Sequence, residues 1–259
     1  MKKAIEGKRI KDRKHIVVVG ATSAIAEHCM RLWITQSPAD LVLIARNEKK
    51  AKVIASDLKA RSPDSVIEVL QTDFLNAIAI KNLVNKIAQR KSVDIALIAH
   101  GSLPDQKNCE QDLELNQSVL ELNAISPVLF AEAFALHMQK SKGGTLALIG
   151  SVAGDRGRKS NYVYGAAKGL IARYTQGLQH RFAKTNVKVV LIKPGPTATP
   201  MTAHLNGKGQ KLADVEEVAS HIVKGIEKSS PEVYAPKKWV LIMLIIRHLP
   251  RFIFNKINI

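Results

Sequence analysis

Cysteine and aromatic residues are scarce in this chain. Its 259 residues include two cysteines, Cys29 and Cys109, and only 5% are Phe, Trp or Tyr. Two cysteines this far apart fit neither a disulfide framework nor a zinc spacing, so no metal site is predicted. Both are interpreted as small buried apolar side chains, free thiols in a reducing compartment.

Long uninterrupted apolar runs are also lacking. No segment reaches the roughly 18 consecutive apolar residues of a membrane-spanning helix. The run that follows the basic start of the chain, His15–Val19, is too short for a secretory signal. The sequence therefore predicts a soluble or peripheral protein of the cytoplasm.

Acidic residues are few relative to basic ones. The chain has 22 Asp and Glu against 39 Lys and Arg, which gives a formal net charge of +17 and a pI near 9.9. Such a surface attracts anions: phosphate-bearing cofactors, anionic lipid or nucleic acid. No zinc spacing, aromatic stacking series or recognition helix accompanies the charge, so no nucleic-acid partner is expected. Residues 1–14 are interpreted as a basic N-terminal extension.

From residue 15 onward, apolar runs rich in Val, Ile and Leu alternate with helical segments. The runs, each typical of a strand buried on both faces, are His15–Val19, Leu41–Ala45, Val66–Leu70, Ile95–Ala99, Thr145–Ile149 and Val187–Ile192. Helices are predicted over Ser23–Gln36, Glu48–Arg61, Ala77–Lys91, Gln117–Gln139, Tyr162–Lys184 and Val215–Lys228. This alternation predicts a single α/β domain over residues 15–236, a Rossmann-type doubly wound parallel sheet. The polar, Gly-containing segment Met201–Leu212 is predicted to be a loop or a mobile lid.

The first strand leads directly into a turn and a helix. Such a turn places backbone N–H groups and the positive end of the helix dipole where they bind phosphate. Nucleotide-binding turns of this type have three glycines; here Gly20 is kept, and Ala24 and Ala26 occupy the other two positions. Alanine is small enough to keep the helix close to the strand. A phosphate site is predicted, with an ordinary strand-to-helix connection as the alternative.

The end of the second strand decides between nicotinamide cofactors. An acidic residue there would bind the ribose hydroxyls of NAD and repel the extra phosphate of NADP. Ala45 occupies that place, and Arg46 beside it offers a planar, permanently charged group suited to phosphate. The pattern favours NADP(H) over NAD(H), with a plain surface charge as the alternative for Arg46.

Two further strand ends carry candidate cofactor contacts. Asp73 follows the third strand, where a carboxylate is suited to receive the adenine amino group. Gly101 follows the fourth strand, where a glycine lets the backbone approach the ribose closely. We interpret His100 as a residue that lines the cofactor rather than as a catalytic base.

A phenol and an ammonium group are spaced for proton transfer. Tyr164 and Lys168 lie at positions i and i+4 of a predicted helix and therefore share one face. Reduction of a carbonyl needs an acid that protonates the forming alkoxide. A nearby ammonium favours phenolate, so the pKa of Tyr164 is expected to be lower than its ordinary value.

Two more polar residues extend this pair. Ser151 follows the fifth strand, and a hydroxyl at the carboxyl end of a strand reaches the crevice in which doubly wound sheets bind ligands. There it is suited to donate a hydrogen bond to a substrate carbonyl. Asn123 lies in the middle of a predicted helix and is suited to hold a water that relays protons to Lys168.

From His15 to Met201 the sequence resembles the short-chain dehydrogenase/reductase family. The resemblance is carried by these motifs in order, and by the Pro194 to Thr199 segment after the sixth strand. It implies NAD(P)-dependent oxidation or reduction at CH–OH groups, a homo-oligomer, and a catalytic tetrad of Asn123, Ser151, Tyr164 and Lys168. It also implies cofactor contacts from Gly20, Thr22, Ser23, Ile25, Arg46, Asp73, Phe74, Ala99, His100, Gly101, Tyr164, Lys168, Pro194, Gly195, Thr197 and Thr199.

Within the family, three segments look like a narrower group. Residues 20–25, residues 99–106 and the carboxyl-terminal tail are similar to the keto-reductase component of decaprenylphosphoryl-ribose epimerase and related enzymes of bacterial glycan assembly. That resemblance implies a keto-sugar carried on a polyprenyl phosphate as the substrate. A hydrophobic keto-lipid or acyl substrate is the alternative within the enzyme class, and a non-catalytic NADP(H)-binding scaffold is the alternative outside it.

The carboxyl-terminal segment, residues 237–259, combines apolar and basic residues. Its run from Trp239 to Ile246 is apolar on all sides if helical, so protein or lipid must cover at least one face. Flanking Lys and Arg residues and an edge Trp favour a peripheral anchor on the inner, anionic face of a membrane. A helix that closes the core and an oligomer interface are the alternatives.

Overall fold

Seven parallel strands form one sheet in the computed structural model, which describes residues 13–205 and 211–257. In chain order they are β1 His15–Val19, β2 Asp40–Ala45, β3 Val66–Gln71, β4 Ile95–Ile98, β5 Gly144–Ile149, β6 Val187–Pro194 and β7 Glu232–Ala235. Their order across the sheet is β3-β2-β1-β4-β5-β6-β7. The order reverses beside β1, between β1 and β4, which is where doubly wound sheets open a ligand crevice at the carboxyl ends of the strands.

Helices cover both faces of the sheet. They are α1 Ala24–Gln36, α2 Glu48–Arg61, α3 Ala77–Arg90, α4 Gln106–Gln111, α5 Leu113–Leu120, α6 Ser126–Ser141, α7 Tyr162–Phe182, α8 Val215–Glu227, α9 Lys238–His248 and α10 Arg251–Phe254. The buried side chains of α1, α2 and α8 form the core on one face, with Met30 and Ile222 at 0% exposure. Those of α3, α6 and α7 form the core on the other face, around Phe130 and Phe134. The predicted Rossmann-type fold is confirmed.

The edges of the sheet differ from the prediction. The short β7 was not predicted, because four residues after a Ser-Ser-Pro turn carry little pattern of their own. The expectation that β3 is buried on both faces is wrong. β3 is an edge strand, its residues are half-buried or exposed, and Val66 is 53% exposed.

The predicted helix over Gln117–Gln139 is longer and less regular than expected. It begins at Leu113, ends at Ser141, and contains one π-helical turn over Glu121–Ile125 between α5 and α6. This 29-residue span is the one helix among the described residues that is long and apolar enough to cross a membrane, and 56% of its most apolar window is buried inside the protein. Its inner face packs against the sheet, as a core helix does.

The predicted loop over Met201–Leu212 is partly helical. A 3₁₀ turn covers Pro200–Leu205, and residues 206–210 lie outside the described residues. After this gap, the backbone of Ala213 returns to the segment after β6, where its N–H donates to Pro196 O at 2.8 Å. Most of the basic N-terminal extension, residues 1–12, also lies outside the described residues.

Candidate active site

A cavity of about 310 Å³ opens at the carboxyl ends of β1, β4, β5 and β6. Its wall contains the four predicted tetrad residues and most of the predicted cofactor contacts. The predicted residues that the structure brings together there are Ser23, Ile25, Ala99, His100, Gly101, Asn123, Ser151, Tyr164, Lys168, Pro194, Gly195, Thr197 and Thr199. A set chosen from six separate stretches of sequence therefore converges on one space.

Ser151 and Tyr164 face each other across the loop between β5 and α7. Ser151 begins a 3₁₀ turn, Val152–Gly154, and its Oγ accepts a hydrogen bond from the Ala153 N–H at 3.1 Å. The hydroxyl of Ser151 also lies near enough to the Tyr164 phenol to act on its pKa. Close packing holds the loop against α7, since a Cβ at Gly154 would lie 2.6 Å from the backbone of Lys168.

Lys168 lies one helical turn beyond Tyr164 and is 3% exposed. Its Nζ donates to Ile149 O at 2.9 Å and lies 5.7 Å from the centroid of the Tyr164 ring. The amide of Asn123 lies beside it, on the π-helical turn. Asn123 Oδ1 accepts from the Ser102 N–H at 2.8 Å, and Nδ2 donates to Val119 O at 2.9 Å. The irregular turn fixes the orientation of Asn123, as π turns often do at functional sites.

The expected lowering of the Tyr164 pKa is wrong for this structure. Burial raises the pKa of Tyr164 to about 12, and the nearby hydroxyl of Ser151 opposes this rise only in part. Part of the ring is exposed to the cavity, but the ammonium of Lys168 is directed at the Ile149 carbonyl rather than at the phenol oxygen. Burial also lowers the pKa of Lys168, to about 8.

The turn after β1 is built to receive a group at the start of α1. Gly20 adopts a φ of +79°, and a Cβ there would lie 2.6 Å from the His100 backbone N, so a larger residue is excluded. Ser23 is the N-cap residue of α1, but its side chain makes no capping hydrogen bond. The first N–H groups of α1 therefore lack the side-chain acceptor that usually satisfies them. This arrangement fits an incoming phosphate.

Five predicted cofactor residues lie outside the cavity wall: Gly20, Thr22, Arg46, Asp73 and Phe74. Thr22, Arg46 and Asp73 are on the exposed surface beside it. The Arg46 guanidinium lies 5.9 Å from the Phe74 ring centroid. The Phe74 side chain is buried against His100, with ring centroids 4.6 Å apart, so only its backbone is placed to meet a ligand.

His100 is buried, and its side chain is turned away from the reacting groups. Its Nε2 is 2.8 Å from Ser126 Oγ. Burial, helped by the charges of Lys168 and Arg46, lowers the pKa of His100 to about 3. The imidazole is therefore neutral at physiological pH, which agrees with its interpretation as a lining residue rather than as a base.

The segment after β6 forms the floor of the cavity. Thr197 Oγ1 donates to Gly195 O at 2.8 Å, and the Thr199 N–H donates to Thr202 Oγ1 at 3.1 Å. A Cβ at Gly195 would lie 1.9 Å from Trp239 Nε1. The indole of Trp239 therefore packs directly on Gly195, and the tail is in contact with the cavity floor.

A buried ion pair stabilises the site on the side away from the cavity. Lys193, at the end of β6, is bonded to Asp155 Oδ1 at 2.7 Å and also pairs with Glu232. The Tyr234 hydroxyl donates to Asp155 Oδ2 at 2.7 Å. These bonds tie the loop that carries Ser151 to β6 and β7.

Comparison with known proteins agrees with this geometry. Residues 14–210 match the family model for short chain dehydrogenases. The chain belongs to the short-chain dehydrogenase family. An uncharacterized oxidoreductase of Staphylococcus aureus (strain MW2) is 32% identical over 219 residues, which are 84% of this chain and 92% of the relative. The predicted oxidoreductase class is confirmed at the level of this family.

Solved structures of the family share the fold. A short-chain dehydrogenase from Burkholderia cenocepacia J2315 in complex with NADP superposes with a TM-score of 0.79 at 18% identity, covering 94% of this chain and 97% of that one. One from Sphingobium yanoikuyae in complex with NADPH gives 0.79 at 21% identity, covering 94% and 96%. At these identities the likeness is one of fold.

The tail of this family member is held by an arginine of the catalytic loop. Arg156 Nη1 donates to Ile246 O at 2.5 Å and to Leu249 O at 2.7 Å, at the end of α9. Its guanidinium lies 3.8 Å from the centroid of the Phe254 ring. Met243 faces inward and is fully buried. The opposite side of the helix exposes Val240, Leu241, Leu244 and Ile245.

Sequence reasoning missed part of the cavity wall. Gln106 and Arg158 line it, but neither was predicted as a site residue. The available signals were that Gln106 ends the segment 99–106, which carries the narrower resemblance, and that Arg158 lies between Ser151 and Tyr164.

Proposed function

We propose that this protein is an NADPH-dependent reductase that converts a carbonyl into an alcohol. The observation that carries the proposal is the convergence of Ser151, Tyr164, Lys168 and Asn123 on one cavity, beside the uncapped start of α1. In this role Ser151 orients the carbonyl oxygen by a hydrogen bond, and Tyr164 donates the proton. Lys168 and Asn123 resupply protons from behind. Turnover of NADPH with a panel of carbonyl substrates is the direct test.

The turn after β1 supports a dinucleotide cofactor. Its free N–H groups at the start of α1 suit the pyrophosphate, and Arg46, next to the apolar Ala45 at the end of β2, suits the extra phosphate of NADPH. When bound, NADPH supplies the hydride. The two solved short-chain dehydrogenases with the same fold, which are complexes with NADP and NADPH, support this choice.

Replacing Arg46 with alanine tests the cofactor preference. The exposed guanidinium makes no salt bridge among the described residues, so its loss should leave the fold intact. We expect KM for NADPH to rise by about tenfold or more, because charge-assisted hydrogen bonds are lost, while KM for NADH stays constant. Steady-state kinetics with both cofactors is the measurement. Arg173→Ala, at an exposed position of α7, is the control, and an equal rise for both cofactors would contradict the assignment.

For the substrate, we propose a keto-sugar carried on a polyprenyl phosphate, used in cell-envelope glycan synthesis. Its support is the similarity of residues 20–25 and 99–106 and of the tail to reductases of that group, together with the contact between the tail and the cavity floor through Trp239 and Gly195. A hydrophobic keto-lipid or acyl substrate is the second candidate, because the same apolar tail suits it. Mass spectrometry of lipids that copurify with the protein separates the two.

We further propose that the tail binds an anionic membrane at its cytoplasmic face. Val240, Leu241, Leu244 and Ile245 form one exposed stripe on α9. Basic residues flank it, and residues 237–257 contain no acidic residue. An apolar face framed by positive charge is typical of interfacial helices, and each basic residue near an anionic surface adds about 1 kcal/mol.

The double variant Leu241→Asn/Leu244→Asn tests this binding. Both side chains are exposed, so the fold should persist, whereas the apolar contact with lipid is lost. We expect the wild type to cosediment with phosphatidylglycerol vesicles but not with phosphatidylcholine vesicles, and the variant to bind at least about tenfold more weakly, given about 1.5–3 kcal/mol per fully buried apolar side chain.

The matched control is Ile78→Asn/Leu113→Asn, which changes two exposed apolar residues outside the tail. Equal vesicle binding by wild type and the tail variant would refute the membrane role. If the tail variant instead has a different number of subunits from the wild type, the exposed stripe is an interface between copies of the chain.

A further inference from the structure

Four buried polar atoms of the cavity wall have no hydrogen-bond partner among the described residues: Gln106 Nε2, Arg158 Nε, His100 Nδ1 and Asn161 Oδ1. Gln106 Nε2 and Arg158 Nε are hydrogen-bond donors. Buried polar groups are normally satisfied, because an unpaired donor loses its bonds to water without compensation. Both residues line the cavity that holds Ser151 and Tyr164, so a ligand in that cavity is a natural source of the missing acceptor.

The orientation of Gln106 is fixed by chemistry. Its side chain is 8% exposed, and its Oε1 accepts from the Val163 N–H at 3.1 Å. A backbone N–H only donates, so the oxygen of the amide must face it and the NH₂ group must face elsewhere. Gln106 therefore presents a donor, and it is held in place by a bond to Val163, the residue next to Tyr164.

Arg158 presents a charge as well as a donor. Among the described residues, its Nη2 donates a hydrogen bond only to the sulfur of Met243, at 3.5 Å, and no carboxylate lies within salt-bridge distance. Asp155, whose charge acts on Arg158, is already bonded to Lys193 and to the Tyr234 hydroxyl. Burial lowers the pKa of Arg158, and Asp155 opposes this only in part. A partly buried guanidinium without a counter-ion is costly.

We propose that Gln106 and Arg158 form a subsite for an anionic oxygen group, a phosphate or a carboxylate, on the substrate itself. The inference rests on the proposed reductase function and adds a substrate class to it: a carbonyl compound that bears a negative charge near the reacting carbon. A phosphate matches the lipid-linked keto-sugar, and a carboxylate matches a keto acid. Arginine is well suited to either group because its planar donors match the geometry of both.

Paired substrates test the subsite. One pair is dihydroxyacetone phosphate and dihydroxyacetone; the other is acetoacetate and methyl acetoacetate. In the wild type we expect kcat/KM for the anionic member of one pair to exceed that of its neutral partner by about tenfold or more, the size of a charge-assisted hydrogen bond. The pair with the larger ratio identifies phosphate or carboxylate.

Two variants remove the subsite in different ways. Gln106→Glu keeps the shape and the acceptor for the Val163 N–H but turns the donor into a negative acceptor. Arg158→Met removes the charge and Nε. Both should bring the anionic-to-neutral ratio to about one or below, whereas Arg173→Met on the surface of α7 should leave it unchanged. A ratio that is the same in wild type and both subsite variants would overturn the proposal.

A binding measurement separates this proposal from the reductase function. Thermal unfolding is followed with inorganic phosphate or acetate added at constant ionic strength, in the presence of NADPH. We expect an anion-dependent rise in Tm that is smaller in Gln106→Glu and Arg158→Met than in wild type and Arg173→Met. If no carbonyl is turned over but this difference is found, the subsite stands and the reductase function fails. If carbonyls are turned over but the variants show the same rise in Tm as wild type and no preference for charged substrates is found, the reductase function stands and the subsite fails.

Discussion

Replacing Tyr164 with phenylalanine should reduce carbonyl reduction by at least about 100-fold and leave NADPH binding intact. A positioned acid contributes about 10² to 10⁴ to the rate of such a reaction, and the cavity offers no second hydroxyl of suitable acidity on α7. The phenylalanine ring fills the same space, so the fold and the cofactor turn are preserved. Turnover is followed by NADPH absorbance, and binding by quenching of intrinsic fluorescence.

The control for this change lies two residues earlier. Tyr162 is on the same helix and 44% exposed, so Tyr162→Phe should have wild-type turnover. Unchanged turnover in Tyr164→Phe would remove the phenol from the mechanism. A wild type that oxidises no NADPH with any carbonyl would instead favour a non-catalytic binding protein.

Replacing Lys168 with methionine should abolish turnover and at the same time stabilise the protein at neutral pH. Burial lowers the pKa of Lys168 from 10.5 to about 8. Below pH 8 the folded and unfolded chains both carry the ammonium, and the folded chain bears the full cost of burying it. Between pH 8 and 10.5 the unfolded chain binds a proton that the folded chain has lost, so stability rises with pH.

The stability gain of Lys168→Met over wild type should therefore be largest below pH 8 and shrink toward pH 10. We expect it to be on the order of 1–3 kcal/mol at pH 7, since each unit of pKa is worth about 1.4 kcal/mol and the bond to Ile149 O is lost. A gain of 1 kcal/mol corresponds to about 2–4 °C in Tm for a chain of this size. Denaturant unfolding at pH 7, 8, 9 and 10 measures it.

Lys193→Met is a contrasting control because the second buried lysine is paired. Burial alone would lower the pKa of Lys193, but the bonds to Asp155 and Glu232 outweigh it and the pKa is raised. The paired ammonium of Lys193 stabilises the fold at neutral pH. Lys193→Met should therefore lower the free energy of unfolding by about 3–5 kcal/mol, the usual effect of breaking a buried pair. Equal effects of the two substitutions would contradict the assigned difference in environment.

Sequence reasoning was strongest where the chain repeats a pattern. The buried strands and α2, which covers the predicted Glu48–Arg61 without change, follow from apolar periodicity and capping. It failed at β7, because the edge of a sheet needs few apolar residues. It placed Asn123 in a helix but missed the π turn over Glu121–Ile125, because such a turn inserts one residue without a mark in the sequence. The predicted direction of the Tyr164 pKa shift was wrong because burial depends on all the surrounding side chains, whereas the spacing between Tyr164 and Lys168 is a local property of the sequence.

The guanidinium of Arg156 couples the carboxyl-terminal tail mechanically to the catalytic loop. It grips the end of α9 and stacks on Phe254 while its own backbone lies between Ser151 and Tyr164. A fusion partner or purification tag joined to the carboxyl end would therefore disturb the loop that carries Ser151. Attachment of the carboxyl end to a solid support would have the same effect.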